Sequence, residues 1–241
     1  GALADGEGGY NAGAAYVFEW VDTAWVPKAK LRSTVPQPGD LFGFSVAVSG
    51  DSVLVGAPFN DEAEPDAGAA YVFTRDSSGW TPQAKVYASD PAPNDVFGWA
   101  VSIAGNRALI GAPQKSGSAG YEGAAYMSVR SGSLWAPEAK LVAPSAGAND
   151  FFGYAVALRG ARAAVGAPLS SLKAQINGAA YLLRQNGGAW GLEGEPDTGI
   201  ASPGDQLGFS VALADAWLAV GAPFNDQVYG FDNGTAYAFA L

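Results

Sequence analysis

Three short marks recur in this chain at one fixed interval, and that register limits the fold more than any other feature. The glycine of a Phe-Gly pair stands at Gly43, Gly98 and Gly153, and that of a Leu-Gly pair at Gly208, always 55 residues apart. Gly-Ala-Pro triplets open at Gly56, Gly111, Gly166 and Gly221 with the same step. A Gly-Ala-Ala-Tyr or close variant opens at Gly13, Gly68, Gly123, Gly178 and Gly234, with a last step of 56. Composition bias does not hold three markers in register over 241 residues, so the chain is an array of repeats.

Each period reads as four short strands. In the first complete copy these are FGFSVAV, SVLVGA, AAYVF and WTPQAKVY, separated by turns at Ser49–Ser52 and Arg75–Gly79 and by the acidic loop FNDEAEPDAG. The next two copies repeat the set, with a degraded fourth strand after Trp190. GAAYVFEW and WVPKAKL precede the series as a third and a fourth strand, and LGFSVAL, AWLAVGAP and GTAYAFA end it. Residues Gly1 to Gly9 show no period. Residues 1–241 are read as one domain, with units at 36–90, 91–145 and 146–200 and partial units at 10–35 and 201–241.

No stretch supports a helix of three turns, so the fold class is all-β. Four-stranded antiparallel units in series predict a β-propeller of four or five blades, because a stacked solenoid prefers shorter repeats. The seventeen expected strands exceed the sixteen of a four-bladed ring. The expected closure joins WVPKAKL to the last three strands, which covers a bare edge and leaves GAAYVF as a surplus strand. An incomplete fifth blade, strand exchange between chains and a fragment of a longer array are the alternatives.

Blade geometry gives the marks their work. Gly43, Gly98, Gly153 and Gly208 are expected at close backbone approaches, with Phe42, Phe97, Phe152 and Leu207 packed between blades. Gly56, Gly111, Gly166 and Gly221 finish second strands with small residues before a proline. Asp40, Asp95, Asp150 and Asp205 either accept backbone N–H groups in the turn before each first strand or form a functional carboxylate ring. Trp25, Trp80, Trp135 and Trp190, also 55 apart, are expected to cover the outer part of each blade. Trp20, Trp99 and Trp217 depart from the period, as packing residues or as individual contacts.

The segments FGFSVAVSGDSVLVGAP, FGWAVSIAGNRALIGAP and FGYAVALRGARAAVGAP resemble the FG-GAP repeats of integrin alpha-chain heads and of bacterial secreted or surface proteins. GAAYVF and the W-x-P-x-A-K-L element match the bacterial version. The resemblance runs from about Gly13 to Ala240 and implies a β-propeller used as a display scaffold, extracellular or on the cell surface. Integrin-type repeats often carry a calcium loop between first and second strands. Here that connection is SGDS, AGNR, RGAR or ADAW, too short and too poor in oxygen ligands for a hard cation.

Carboxylates gather instead between second and third strands. Asp61, Glu62, Glu64 and Asp66 in one copy, and Asp226 and Asp232 in another, are candidate calcium ligands or simply solvated acids; their spacing matches no EF-hand. The chain has no histidine and no cysteine, which removes disulfides, thiol nucleophiles, imidazole bases and His/Cys metal sites. No other cofactor is expected, and the serines lack an activating histidine. A formal charge of -10 without a basic stripe disfavours nucleic acid, and no apolar run is long enough to span a bilayer. The reading is a non-catalytic interaction module for a protein or glycan ligand, with self-association through terminal strands as a further expectation. A structural subunit and a polysaccharide hydrolase or lyase are the competing classes.

Overall fold

A computed structural model of the chain describes residues 1–118, 120–171, 177–199, 202–225 and 233–241. Among the described residues seventeen strands form five antiparallel sheets in chain order. The first sheet pairs β1 (Ala15–Val21) with β2 (Ala24–Leu31). The second runs β3 (Ser45–Ser49), β4 (Ser52–Ala57), β5 (Ala69–Asp76) and β6 (Gly79–Val86). The third runs β7 (Ala100–Ala104), β8 (Arg107–Ala112), β9 (Ala124–Ser131) and β10 (Leu134–Leu141). The fourth runs β11 (Ala155–Arg159), β12 (Arg162–Ala167), β13 (Ala179–Asn186) and β14 (Ala189–Gly194). The fifth has three strands, β15 (Ser210–Leu213), β16 (Trp217–Ala222) and β17 (Thr235–Ala240).

The expected pairing of β2 with the last three strands is not formed. β2 pairs with β1 alone, and the fifth sheet is the separate run β15-β16-β17. GAAYVF is therefore no surplus strand but the partner of WVPKAKL. The local hairpin is favoured because a two-residue turn, with Asp22 at φ 52°, costs far less chain entropy than joining the two ends of the molecule. Residues Gly1 and Ala2 also turn out to be in register. Ala2 bridges Ala14 as Ala57 pairs Ala69, and Gly1 abuts the Gly43 carbonyl as Gly56 abuts that of Gly98. They stand where a second strand ends.

Successive sheets pack face to face, and the alternation of each second strand follows from this. Val53, Val55 and Ala57 of β4 join Ala15, Leu31 and Phe42 in one core, while Leu54 turns the other way to Phe97 and Ile110. Every residue of β4 is buried, which is why the run reads as continuously apolar. The fourth strands take the outer edge. Their prolines, Pro27 and Pro82, pair beside β-bulges, where a missing N–H interrupts no ladder.

All three sequence marks meet at one place between sheets. The N–H of Gly98 donates to the carbonyl of Gly111 in its own sheet, and that of Phe97 donates to Ala67 of the preceding sheet. Gly68 forms a parallel bridge to Phe97. A Cβ on Gly98 would stand 2.4 Å from the Ala69 carbonyl oxygen, and one on Gly56 would stand 2.0 Å from that of Gly98. Both positions accept only glycine. Beside them Leu41, Val96, Phe151 and Gln206 hold left-handed backbone, φ 52–56°, a strained conformation for Val96 that the cross-sheet hydrogen bonds maintain. Phe42, Phe97 and Phe152 are fully buried in the joints.

Candidate functional site

The inner strands β3, β7, β11 and β15 sit neighbour to neighbour, so the residues just before them gather at one end of a common axis and those just after them at the other. At the end bearing the long second-to-third loops, the residue after each Phe-Gly or Leu-Gly is aromatic. Phe44 and Trp99 lie 4.6 Å apart by ring centroid, Trp99 and Tyr154 5.6 Å, and Tyr154 and Phe209 5.1 Å. The four rings form one half-buried row, open to solvent at Phe209, and burial pushes the Tyr154 hydroxyl up. Trp99, read from sequence as an individual departure from the period, is a member of this row. The patterns FGF, FGW, FGY and LGF carried the signal.

The turn aspartates lie deeper on the same end. Asp40, Asp95, Asp150 and Asp205 are all buried, and each accepts the backbone N–H of the residue three before it. A second partner arrives from the second-to-third loop: Asn60 donates to Asp40 at 3.1 Å, Lys115 to Asp95 at 2.8 Å, and Asn225 to Asp205 at 2.8 Å. Burial raises the pKa of Asp40 and Asp150. These carboxylates are turn acceptors and form no open ring.

The acidic loop residues follow local bonds. Asp61 accepts the N–H of Asp66 at 2.8 Å, and Glu62 pairs with Lys85, whose ammonium holds the Glu62 carboxyl below its usual range. Asp61, Glu62 and Glu64 are exposed. Among the described residues no three such groups converge where an ion could be held. Asp226 and Asp232 lie outside the described residues.

The opposite end, made of tight hairpins, carries the arginines. Arg107 grips Glu138 with bonds of 2.9 and 3.0 Å, Arg162 grips Glu193 at 2.7 and 2.9 Å, and Arg159 grips Asp215 of the next sheet at 2.6 and 2.9 Å. A polar hollow of about 670 Å³ opens here between the ends of all four inner strands, lined by Ser49, Ala104, Arg159, Arg184 and Asp215 among others. Arg107 with Glu138 and Arg162 with Glu193 tie the second and fourth strands of one sheet, while Arg159 with Asp215 ties neighbouring sheets.

The tryptophans divide by position. Trp80, Trp135 and Trp190 each pack half-buried on the core shared with the preceding sheet. Trp25 was expected to do the same but is 67% exposed, edge-on to Trp20, with no sheet packed over it among the described residues. Trp217 is also exposed. Among the described residues no helix is long and apolar enough to cross a membrane.

The FG-GAP repeat family model matches residues 25–73, 80–128, 135–183 and 201–239. Among solved structures, the crystal structure of the Saccharomyces cerevisiae Sqt1 is similar with a TM-score of 0.47 and 10% identity, over 83% of this chain and 45% of that one. The chain thus spans less than half the length of that structure. No curated protein matches it in sequence. The four family matches take in most of the chain, and each contains one of the Phe-Gly or Leu-Gly joints described above. The chain belongs to the FG-GAP repeat family, with the sheet-upon-sheet build of its β-propellers.

Proposed function

We propose that this chain is a non-catalytic interaction scaffold, working outside the cell or at its surface, that takes a protein or glycan ligand on its long-loop end. The sheets are read as blades of one propeller, four or five in number. The observation that carries the reading is the row Phe44, Trp99, Tyr154 and Phe209 beside loops that differ from copy to copy. The joints need the same glycines in every copy, whereas FNDEAEPDAG and KSGSAGYE differ freely in charge and composition. A rigid frame with variable loops suits recognition, and half-buried aromatic faces suit sugar rings or apolar side chains.

A glycan array and a pull-down with cell-surface proteins, run side by side, test this. The parent is expected to retain a ligand that is lost both in Trp99→Ala and in a variant carrying residues 116–121 in place of 61–66. The melting temperature of the loop variant should stay unchanged. A ligand held equally by both variants would overturn the assignment to this end, and turnover of a polymeric sugar would replace the scaffold by a hydrolase or lyase. A second reading, a subunit of a larger assembly associating through its terminal strands, is favoured by the exposed Phe18, Trp20, Trp25 and Val48 at one extremity and Trp217 at the other. Sedimentation over a range of concentrations tests it.

A further inference from the structure

The hairpin end holds one arginine whose setting differs from all the others. Among the described residues, Arg32, Arg75, Arg107, Arg159, Arg162 and Arg184 each lie within ion-pair distance of a carboxylate. Arg130 does not; its guanidinium donates to the Ser52 hydroxyl at 3.2 Å and lies 5.7 Å from the centre of the Trp135 ring. It is half-buried at the joint between the second and third sheets.

The next joint shows what is missing. There Glu138 receives both Arg107 and the amide of Gln185, the latter at 2.6 Å, so the polar groups satisfy one another. One repeat earlier, Glu138 is replaced by Gln83, Arg107 by Ser52 and Gln185 by Arg130. The guanidinium remains, and the carboxylate has been exchanged for an amide, whose oxygen is taken by the Trp135 N–H at 2.9 Å. A hollow of about 440 Å³ opens at this point, lined by Ser49, Asp51, Ser52, Thr74, Arg75, Gln83 and Arg130.

We infer that the hollow between the second and third sheets is a binding site for a carboxylate-bearing sugar, whose carboxylate supplies to Arg130 the negative charge that Glu138 supplies to Arg107 in the neighbouring joint. Arg130 supplies a fork for two parallel bonds to that carboxylate. Ser52, Thr74, Gln83 and Asp51 offer the mixed donors and acceptors that sugar hydroxyls need, in a volume suited to one or two rings. A lone unpaired guanidinium beside Asp51 selects a single negative charge and disfavours polyanions such as acidic peptides. This site lies at the opposite end from the long loops, so it stands or falls independently of the proposed function.

Calorimetric titration of the full chain with a galacturonic acid disaccharide, a neutral galactose disaccharide, acetate and an aspartate-rich peptide tests the site. The parent should bind the acidic disaccharide at least roughly tenfold more tightly than the other three, as a charge-assisted pair requires. Gln83→Glu restores the carboxylate of the neighbouring joint; it should abolish binding while the melting temperature holds or rises. Arg130→Ala should lose binding as well. Undiminished binding by Gln83→Glu, absence of binding by the parent, or equal binding of the neutral sugar would overturn the proposal. Tighter binding of acetate or the peptide would overturn the sugar assignment.

Discussion

Val101 and Val46 hold the same place in the repeat, yet Val101 is 8% exposed and Val46 is 48%. The next inward position repeats the contrast, with Ile103 buried and Val48 at 68%. Val101 and Ile103 rest on Leu54 and Ala47 of the sheet before them. The sheet before Val46 offers only β1 and β2, so the space in front of β3 is an apolar groove lined by Tyr16, Phe18, Val46 and Val48. At the other extremity, Ala219, Ala236 and Ala238 are exposed where Leu54, Ala70 and Val72 are buried. An identical residue is core or surface according to its neighbour. The stability of the array is thus a sum of joints, as in other repeat proteins, and substitutions can probe one joint at a time.

The largest effect should come from the glycine at the centre of an interior joint. Gly98→Val places a branched side chain 2.4 Å from the Ala69 oxygen, at φ 96°, and is expected to cost roughly 3–6 kcal/mol. Gly105→Ala, also at positive φ but with open space around it, should cost only about 1–2 kcal/mol. Urea midpoints compare the two. Equal losses would show that backbone conformation, and not the packing of the joint, sets the requirement for glycine.

Next comes the partner of the buried aspartate. Lys115→Met leaves Asp95 without its cation, and breaking a buried pair costs about 3–5 kcal/mol. Lys115→Asn restores the residue found at Asn60 and Asn225, which bond Asp40 and Asp205, and should cost about 1 kcal/mol. If both variants melt together, the copies are not interchangeable at this place. The direct test of interior against extremity is smaller. Val101→Ala should lose about 2 kcal/mol and Val46→Ala no more than about 0.5, again by urea denaturation. Similar losses would mean that the groove before β3 is filled in solution.

The parts of this architecture that repeat were readable from the chain itself. Seventeen strands, the buried phenylalanines of the joints and the aspartates of the turns follow from marks 55 residues apart, because each copy must make the same contacts. Gly1 and Ala2 lay within the same logic, 55 residues before Gly56 and Ala57, although the irregular loop after them hid it. The aromatic row was present as one ring after each joint glycine; the variety of rings masked its periodicity. The pairing of β2 was misjudged because a count of strands does not weigh a local hairpin against a distant closure. The clamps Arg107–Glu138 and Arg162–Glu193 recur within single copies at the same 55-residue step but carry no motif that marks them, whereas Arg159–Asp215 and the setting of Arg130 depend on which residue of one copy faces which residue of the next.

The smallest expected effect concerns calcium and compares the two kinds of loop. The first-to-second turns have too few oxygens to wrap a cation, and in the acidic second-to-third loop Asp61 and Glu62 are already engaged. Glu62 is held by Lys85, and Asp61 receives the Asp66 N–H. A calcium ion would have to displace the lysine and the backbone donor before gaining either carboxylate. A structural ion present at a hundredfold excess over its Kd would add about 2.7 kcal/mol, which for a chain of this size is roughly 5–10 °C in Tm. Melting with a chelator and with millimolar calcium should instead agree within about 2 °C. A rise of the larger size would point to the loop of residues 223–234, whose acids are Asp226 and Asp232. Asp226→Asn with Asp232→Asn would then remove the rise, whereas Asp61→Asn would leave it in place.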